Sequence, residues 1–558
     1  MQSMTRMGWH RKLLLATGTL VMCGGGLASS TAAHASGPAA NQALTVAATQ
    51  LSYSATPETT NPDTEPVNGA APYTGAPLVL QSSITGREAG EPTIGINKKG
   101  TVFIPGDTFD STGGALARNI ELKTTDHGVT FKDISPNVAG VNTHPVTLDT
   151  ITYVDKTYGR LFTLDTTAAA GSLLSFSDDE GATYTTTMAL AAGVNDHQTV
   201  VTGVVPPGSP LITLDPKFPK LVYYCVNTVA AVSCSRSLDG GVSFIQMNSP
   251  FPLHIAQSLP LSGLCSSLVG HMVTDPAGNL YVPSAFNEIA GCGQPQVAVS
   301  HDAGNTWTQA FVNTNINDPY NNVGLASDTA GNIYSIWQDD KHNLPYMSVS
   351  RNQGAQWSTP VMVAPPGVRV SNFPAIDAGD PGRVAISFPG SADALANTDN
   401  TKAPWQYYVA FSNDALAPSP HFVSQVTQIA NGPGTTTTTM HRGACNGRCG
   451  GLFDFLDVKV APTAGGPGWA ALSDDCTGPC GTPGGGVSND PSAGMGLTVE
   501  EISGPAQLGS GMDLGPPAGN VPETPMALLL PLAAVSVGVG MIVQRRRAGR
   551  GGRMTAVR

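Results

Sequence analysis

One eight-residue frame recurs down this chain: Ser or Thr, any residue, Asp, any residue, Gly, any residue, Thr or Ser, then an aromatic residue. It stands as TTDHGVTF from Thr124, SDDEGATY from Ser177, SLDGGVSF from Ser237 and SHDAGNTW from Ser300. SRNQGAQW from Ser350 puts Asn352 at the third position. A looser copy from Ser412 keeps Asp414 but delays its aromatic residue to Phe422. Successive copies start 53, 60, 63, 50 and 62 residues apart, which fits four short strands and their connections. A unit of that size cannot bury its own apolar face, so neighbours must stack.

Within the frame the chemistry is that of a tight turn. The carboxylate accepts turn N–H groups, the glycine permits positive φ, and the aromatic residue packs between sheets. Asp126, Asp179, Asp239, Asp302, Asn352 and Asp414 are therefore read as structural residues, because a catalytic group is not needed once per repeat.

A second signature alternates with the first: a β run, a polar turn and another β run. It appears as IGINKKGTVFIPG from Ile94, ITYVDKTYGRLFTLD from Ile151, LITLDPKFPKLVYYC from Leu211 and MVTDPAGNLYVPS from Met272. LASDTAGNIYSIW from Leu325, AIDAGDPGRVAIS from Ala375 and VKVAPTAGGPGWAALS from Val458 continue it. Each reads as the inner hairpin of a unit whose outer hairpin carries the repeated turn. A last outer hairpin would pass through the Gly-rich stretch after Cys480 and return as MGLTVEEIS from Met495. The expected fold is all-β, a β-propeller of six or seven four-stranded blades over residues 76–505, with seven favoured. Closure of the ring removes exposed sheet edges.

The ends carry other signals. Residues 1–35 read as a secretory leader, with Arg6, Arg11 and Lys12 before an apolar run and Ala33-His34-Ala35 as a cleavage site. Residues 36–75, rich in Ala, Thr, Asn and Pro, read as a flexible spacer, and residues 506–525 as a Gly/Pro-rich linker. Met526 to Val543 carries no charge over 18 residues and Arg545, Arg546 and Arg547 follow, so residues 526–544 are expected to cross a membrane. Residues 545–558 form a basic tail on the cytoplasmic side. Val521-Pro522-Glu523-Thr524-Pro525 has the layout of a wall-sorting signal without the glycine, so anchoring by the helix is the expectation.

Charge and cysteine usage agree with export. Removing the nine basic residues of the two ends from the total of 28 leaves 19 against 40 acids, near −21 for the exported part. Such a surface excludes nucleic acid and disfavours anionic lipid and long-range capture of acidic glycans. Cys23 leaves with the leader. Cys225, Cys234, Cys265, Cys292, Cys445, Cys449, Cys476 and Cys480 remain, an even number that reads as disulfides. Cys225 with Cys234 and Cys265 with Cys292 are the local pairings. The alternative use of CNGRC and CTGPC as four zinc ligands fits the compartment less well.

The turns resemble the aspartate-box repeats, also called bacterial neuraminidase repeats, of sialidase-like β-propellers. GEPTIGIN from Gly90, NDHQTV from Asn195 and CGGLFDFLDVKV from Cys449 also look like exported sialidase-family proteins of high-GC Gram-positive bacteria. The resemblance spans about residues 76–500 and implies the propeller. It also implies a retaining exo-sialidase, in which three arginines clamp the substrate carboxylate, a Tyr–Glu pair supplies the nucleophile and an Asp the acid/base. Where the family places an Arg-Ile-Pro motif, this chain has Glu91-Pro92-Thr93-Ile94, with Arg87 four positions before Glu91.

Ligands of propellers meet residues that precede the innermost strands. Glu91, Asp196 and His197 are the catalytic candidates, because Asp196-His197-Gln198 is the densest polar cluster outside a turn. Two carboxylates facing across about 5–9 Å would serve glycoside hydrolysis. His271, Asn322, Arg369, Asn372, Arg442 and Asp454 are the ligand-binding candidates. No metal motif is present and no cofactor is expected. A structural calcium on loop aspartates is compatible with the turns, although no twelve-residue calcium loop occurs. Two functions stay open: a surface glycoside hydrolase of sialidase type acting on extracellular glycans, and a non-catalytic monomeric propeller that binds glycan or protein.

Overall fold

In the computed structural model, each repeated octapeptide is the turn between the third and fourth strands of a four-stranded antiparallel unit. In the copy at Ser177, the Ser177 hydroxyl donates to Asp179 Oδ1 at 2.8 Å and accepts the Gly181 N–H at 2.8 Å. Asp179 then accepts the Thr183 N–H at 2.8 Å on Oδ1 and the Thr183 hydroxyl at 2.6 Å on Oδ2. Those bonds from Thr183 and Ser177 hold the Asp179 carboxyl down at about 2. The same four bonds form around Asp126, Asp239 and Asp302. Asn352 keeps the Oδ1 contacts, with Ser350 at 3.0 Å and the Gln356 N–H at 2.9 Å. In the loosened copy, His421 takes the seventh position's role, donating its N–H to Asp414 Oδ1 at 2.7 Å.

The fourth and fifth residues of these turns both have positive φ, as in His127 (58°) with Gly128 (80°) and Ala303 (59°) with Gly304 (83°). Two such residues in succession give the turn whose twist matches antiparallel strands. The fifth must be glycine for a second reason, because it faces the preceding unit. A Cβ at Gly304 would lie 2.1 Å from Met247 Sδ, and one at Gly181 would lie 2.4 Å from Ile134 Cδ1. The fourth residue reaches the same way. The Ala303 carbonyl accepts from Arg236 Nη1, Glu180 meets Lys99, and His127 meets Glu500.

The structure describes residues 44–45, 49–58, 66–88, 91–108, 118–136, 150–167, 171–190, 195–228, 232–251, 254–255, 264–265, 268–286, 295–313, 320–339, 341–394, 404–427, 440–441, 456–474 and 495–509. The innermost strands are β1 (Gly95–Ile96), β2 (Thr150–Val154), β3 (Asn195–Gly203), β4 (Val273–Thr274), β5 (Tyr320–Ser327), β6 (Ala375–Ala378) and β7 (Asp457–Val460). The strands form six large sheets and one two-stranded pair. The architecture is an all-β propeller, and the favoured count of seven blades is corrected to six by one bridge. Phe286 pairs with Asn321, so the units that begin at β4 and β5 share a single ten-stranded sheet.

The ring closes through the N-terminal side of the chain. Val79–Glu88 is the fourth strand of the unit that begins at β7, pairing with Met495–Ser503 on one side and with Leu44–Thr45 on the other. Met495–Ser503 is thus a third strand and not the return of a last outer hairpin. The spacer expected over 36–75 is also corrected. Leu51–Ser54 pairs with His421–Val426, and Thr56–Pro57 pairs with Val361–Met362. Tyr53 explains why: it is fully buried, stacks on Phe422 at 5.8 Å and donates to the Val363 carbonyl at 2.7 Å. At the other end residues 506–509 pack onto the ring, where the Asp380 N–H donates to the Gln507 carbonyl at 2.8 Å. The leader, the apolar stretch 526–544 and the basic tail lie outside the described residues. Among the described residues no helix is long and apolar enough to cross a membrane.

Apolar side chains fill the seams between units, with Trp337, Tyr334, Tyr281 and Phe103 fully buried. Arg160 spans one seam, lying over Phe176 and Phe218 while its fork holds Asp178 with two 2.7 Å bonds. Cys225 and Cys234 are direct cross-strand partners and form a disulfide. The side chains of Cys265, Cys292, Cys445, Cys449, Cys476 and Cys480 lie outside the described residues.

One seam is acidic. Glu121 is fully buried and accepts the Thr152 hydroxyl at 2.6 Å. Burial pushes its carboxyl well above the usual range, against the Thr152 bond and reinforced by Asp165 and Asp133. A raised carboxyl contributes stability that is present below the unfolded value of about 4.3 and is lost as pH rises toward and through the folded one. Thermal unfolding of Glu121→Gln, followed upward from pH 4, is expected to show a flatter pH profile than the parent.

Candidate functional site

The seven innermost strands surround an axial cavity of about 480 Å³. Short side-chain bonds fix each strand to the next. The Thr152 N–H donates to Thr93 Oγ1 at 2.7 Å, and the Met272 N–H donates to Thr199 Oγ1 at 3.1 Å. Thr274 Oγ1 donates to the Thr202 carbonyl at 2.7 Å. Carboxylates do the same work at the ring's closure, where the Val460 N–H meets Asp377 Oδ2 at 2.8 Å and the Ile94 N–H meets Asp457 Oδ2 at 3.2 Å.

Three lysine–aspartate pairs line the cavity, with Asp155 and Lys156 in the turn after β2, Asp377 on β6, and Asp457 and Lys459 on β7. Lys220 contacts Asp155 at 2.9 Å, Lys459 contacts Asp457 at 2.7 Å, and Lys156 contacts Asp377 at 3.0 Å. Asp155 also accepts the Thr202 hydroxyl at 2.5 Å. Burial opposes the charge on Lys459, but Asp457 and Asp377 outweigh it and raise its ammonium above the usual lysine range. Tyr153 stands beside them with its hydroxyl 2.9 Å from Thr202 Oγ1. Burial first, then Asp155, pushes that phenol well above its ordinary range, so it stays protonated. This neighbourhood offers hydrogen bonds of both senses.

The residues selected from the sequence gather only in part. Glu91 and His197 are both buried (1% and 2% exposed) and both adopt positive φ, 48° and 53°, at the strand-entry end. Asp196 pairs with Asn227 in the backbone ladder, with its side chain outside the described residues. His271 lines the cavity. Asn372 is buried and is not among the cavity-lining residues, its N–H donating to the Pro389 carbonyl at 3.1 Å, and Arg369 is exposed. Asn322 lies on β5 with its side chain outside the described residues, as do Arg442 and Asp454 entirely. Among the described residues no arginine lines the cavity, and no group of three or more His, Cys, Asp or Glu is arranged to hold a metal.

Asp155, Lys156, Lys220, Asp377 and Lys459 escaped the sequence reading. Asp155 and Lys156 sit in a hairpin turn, where Asp is ordinarily a turn former. The signal that marks them is a lysine beside or within the β run, in ITYVDK from Ile151 and VKV from Val458.

No family model and no curated protein matches this chain. Solved structures do. A protein of unknown function from Dyadobacter fermentans aligns at 12% identity and TM-score 0.38, covering 75% of this chain and 98% of that one. A leech intramolecular trans-sialidase aligns at 13% and 0.34, covering 70% of this chain and 66% of its own length. The Aleuria aurantia lectin aligns at 12% and 0.35, covering 57% and 91%. The chain thus spans about two thirds of the leech enzyme.

Asp457 joins three groups, accepting from the Ile94 and Val458 N–H groups and from the Lys459 ammonium. Asp457→Ala is expected to lower stability by about 3 kcal/mol in urea unfolding, because it strands a buried amide and an ammonium. Asp457→Asn, which keeps an oxygen acceptor, is expected to lose less.

Proposed function

We propose that this chain is an exported, membrane-anchored β-propeller that binds carbohydrate in its axial cavity without cleaving it. The observation that carries the reading is the set of paired ammonium and carboxylate groups around a 480 Å³ space, a volume suited to a small ligand. Sugar hydroxyls donate to one and accept from the other. Each cavity lysine is matched by an aspartate, whereas clamping an acidic sugar needs uncompensated cations, for which a guanidinium fork is the better group. The resemblance to aspartate-box propellers supports a glycan partner. The leader and the apolar C-terminal stretch support display outside the cell, and the acidic body supports a ligand that is not strongly anionic.

Glycoside hydrolysis is the second reading, and one observation favours it. Glu91 and His197 hold positive φ while buried at the strand-entry end, and such backbone conformations concentrate at functional sites. One experiment separates the two. The full-length chain in detergent is tested for saturable binding to a panel of oligosaccharides and for turnover of fluorogenic glycosides, including a sialoside. Binding without turnover, weakened about tenfold by Lys459→Met, is the expected result. Turnover abolished by Glu91→Gln would replace the binding reading with the enzymatic one.

A further inference from the structure

The lysine–aspartate pairs of the cavity are not alike. Lys220 and Asp155 belong to adjoining units, and Lys459 and Asp457 share one strand. Lys156 follows β2 and Asp377 lies on β6. In the order of the inner strands β3, β4 and β5 lie between them one way round, and β7 and β1 the other. The 3.0 Å contact between them therefore crosses the cavity as a bar. Lys156 is also the freest of the three, with 46% of its side chain exposed against 13% for Asp377. The same oxygen of Asp377, Oδ2, accepts the Val460 N–H, so the carboxylate is the tethered partner and the ammonium the movable one.

With Lys156 in place, Asp377, Asp457, Lys156 and Lys459 balance. With Lys156 withdrawn, Asp377 and Asp457 face Lys459 alone, Asp155 keeps Lys220, and Asp275 and Asp328, each bonded within its own turn, add two further carboxylates to the lining. Whatever displaces the bar must bring one positive charge and N–H donors to Asp377. We propose that Lys156 is an internal occupant of the ligand subsite, and that the ligand is a saccharide bearing a free amine, whose ammonium replaces that of Lys156 at Asp377. This rests on the carbohydrate-binding reading and narrows it to amino sugars. An internal occupant lowers the apparent affinity by the fraction of time it holds the site, so removing it should tighten binding.

The test uses the full-length chain in detergent, with a glucosamine tetrasaccharide and its fully N-acetylated counterpart as probes, by titration calorimetry. The parent is expected to bind the amine form about tenfold more tightly than the acetylated form. Lys156→Ala and Lys156→Gln should each tighten the amine form by about a further tenfold. Asp377→Asn, which keeps an acceptor for Val460, should erase the preference. Equal binding of both probes, or no gain in either Lys156 variant, would overturn the proposal while leaving carbohydrate binding standing. No binding of any saccharide on the panel would overturn both.

Discussion

The contact on which the architecture depends is the one between each outer turn and the unit before it. At the fifth position of the turn a glycine lies against the preceding unit so closely that a Cβ would collide, 2.8 Å from Ser83 Oγ at Gly128 and 2.9 Å from Val299 Cγ2 at Gly354. At the fourth position a backbone carbonyl or a side chain reaches the same neighbour, as Gly240 does to Arg160 at 2.7 Å. One short sequence thus does two things. It turns the chain by bonds held within eight residues, and it sets the next unit at a constant offset from the last. Repetition of a fixed offset generates a ring.

The ring in turn makes the cavity. Inner strands held by side chain to backbone bonds leave little room for adjustment, so the groups at their turn ends converge whatever their separation in sequence. Lys156 and Asp377, 221 residues apart, meet for that reason. Their meeting depends on closure, which Val79–Glu88 supplies by pairing with Met495–Ser503. A function located in the cavity is therefore a property of the closed ring and of no single unit.

This explains what was legible in the sequence. The turns could be read because every bond around Asp126, Asp179, Asp239 and Asp302 is local. The pairing of Cys225 with Cys234 was among the local options for the same reason. The closing strand could not be read, since its partner lies some 400 residues away and Val79–Glu88 carries no turn frame. Tyr53 looked like spacer because its pocket is built by Phe422 and Val363, remote in the chain. The cavity lysines were missed because a turn lysine is ordinarily solvated. Only the ring shows that Lys156, Lys220 and Lys459, each paired with an aspartate, line one shared space. The residues chosen instead, Glu91, His197 and His271, were chosen by their place before the inner strands; His271 lines the same cavity, while Glu91 and His197 stand at the strand-entry end.

The central claim is that the axial cavity, at its hairpin-turn end, is where ligand binds. Hydrogen–deuterium exchange of the full-length chain with and without a saturating oligosaccharide tests it directly. The account predicts protection at the turns after β2, β6 and β7, covering residues 153–157, 377–379 and 457–462. Protection confined to the strand-entry end around Glu91 and His197, with those turns unchanged, would contradict it.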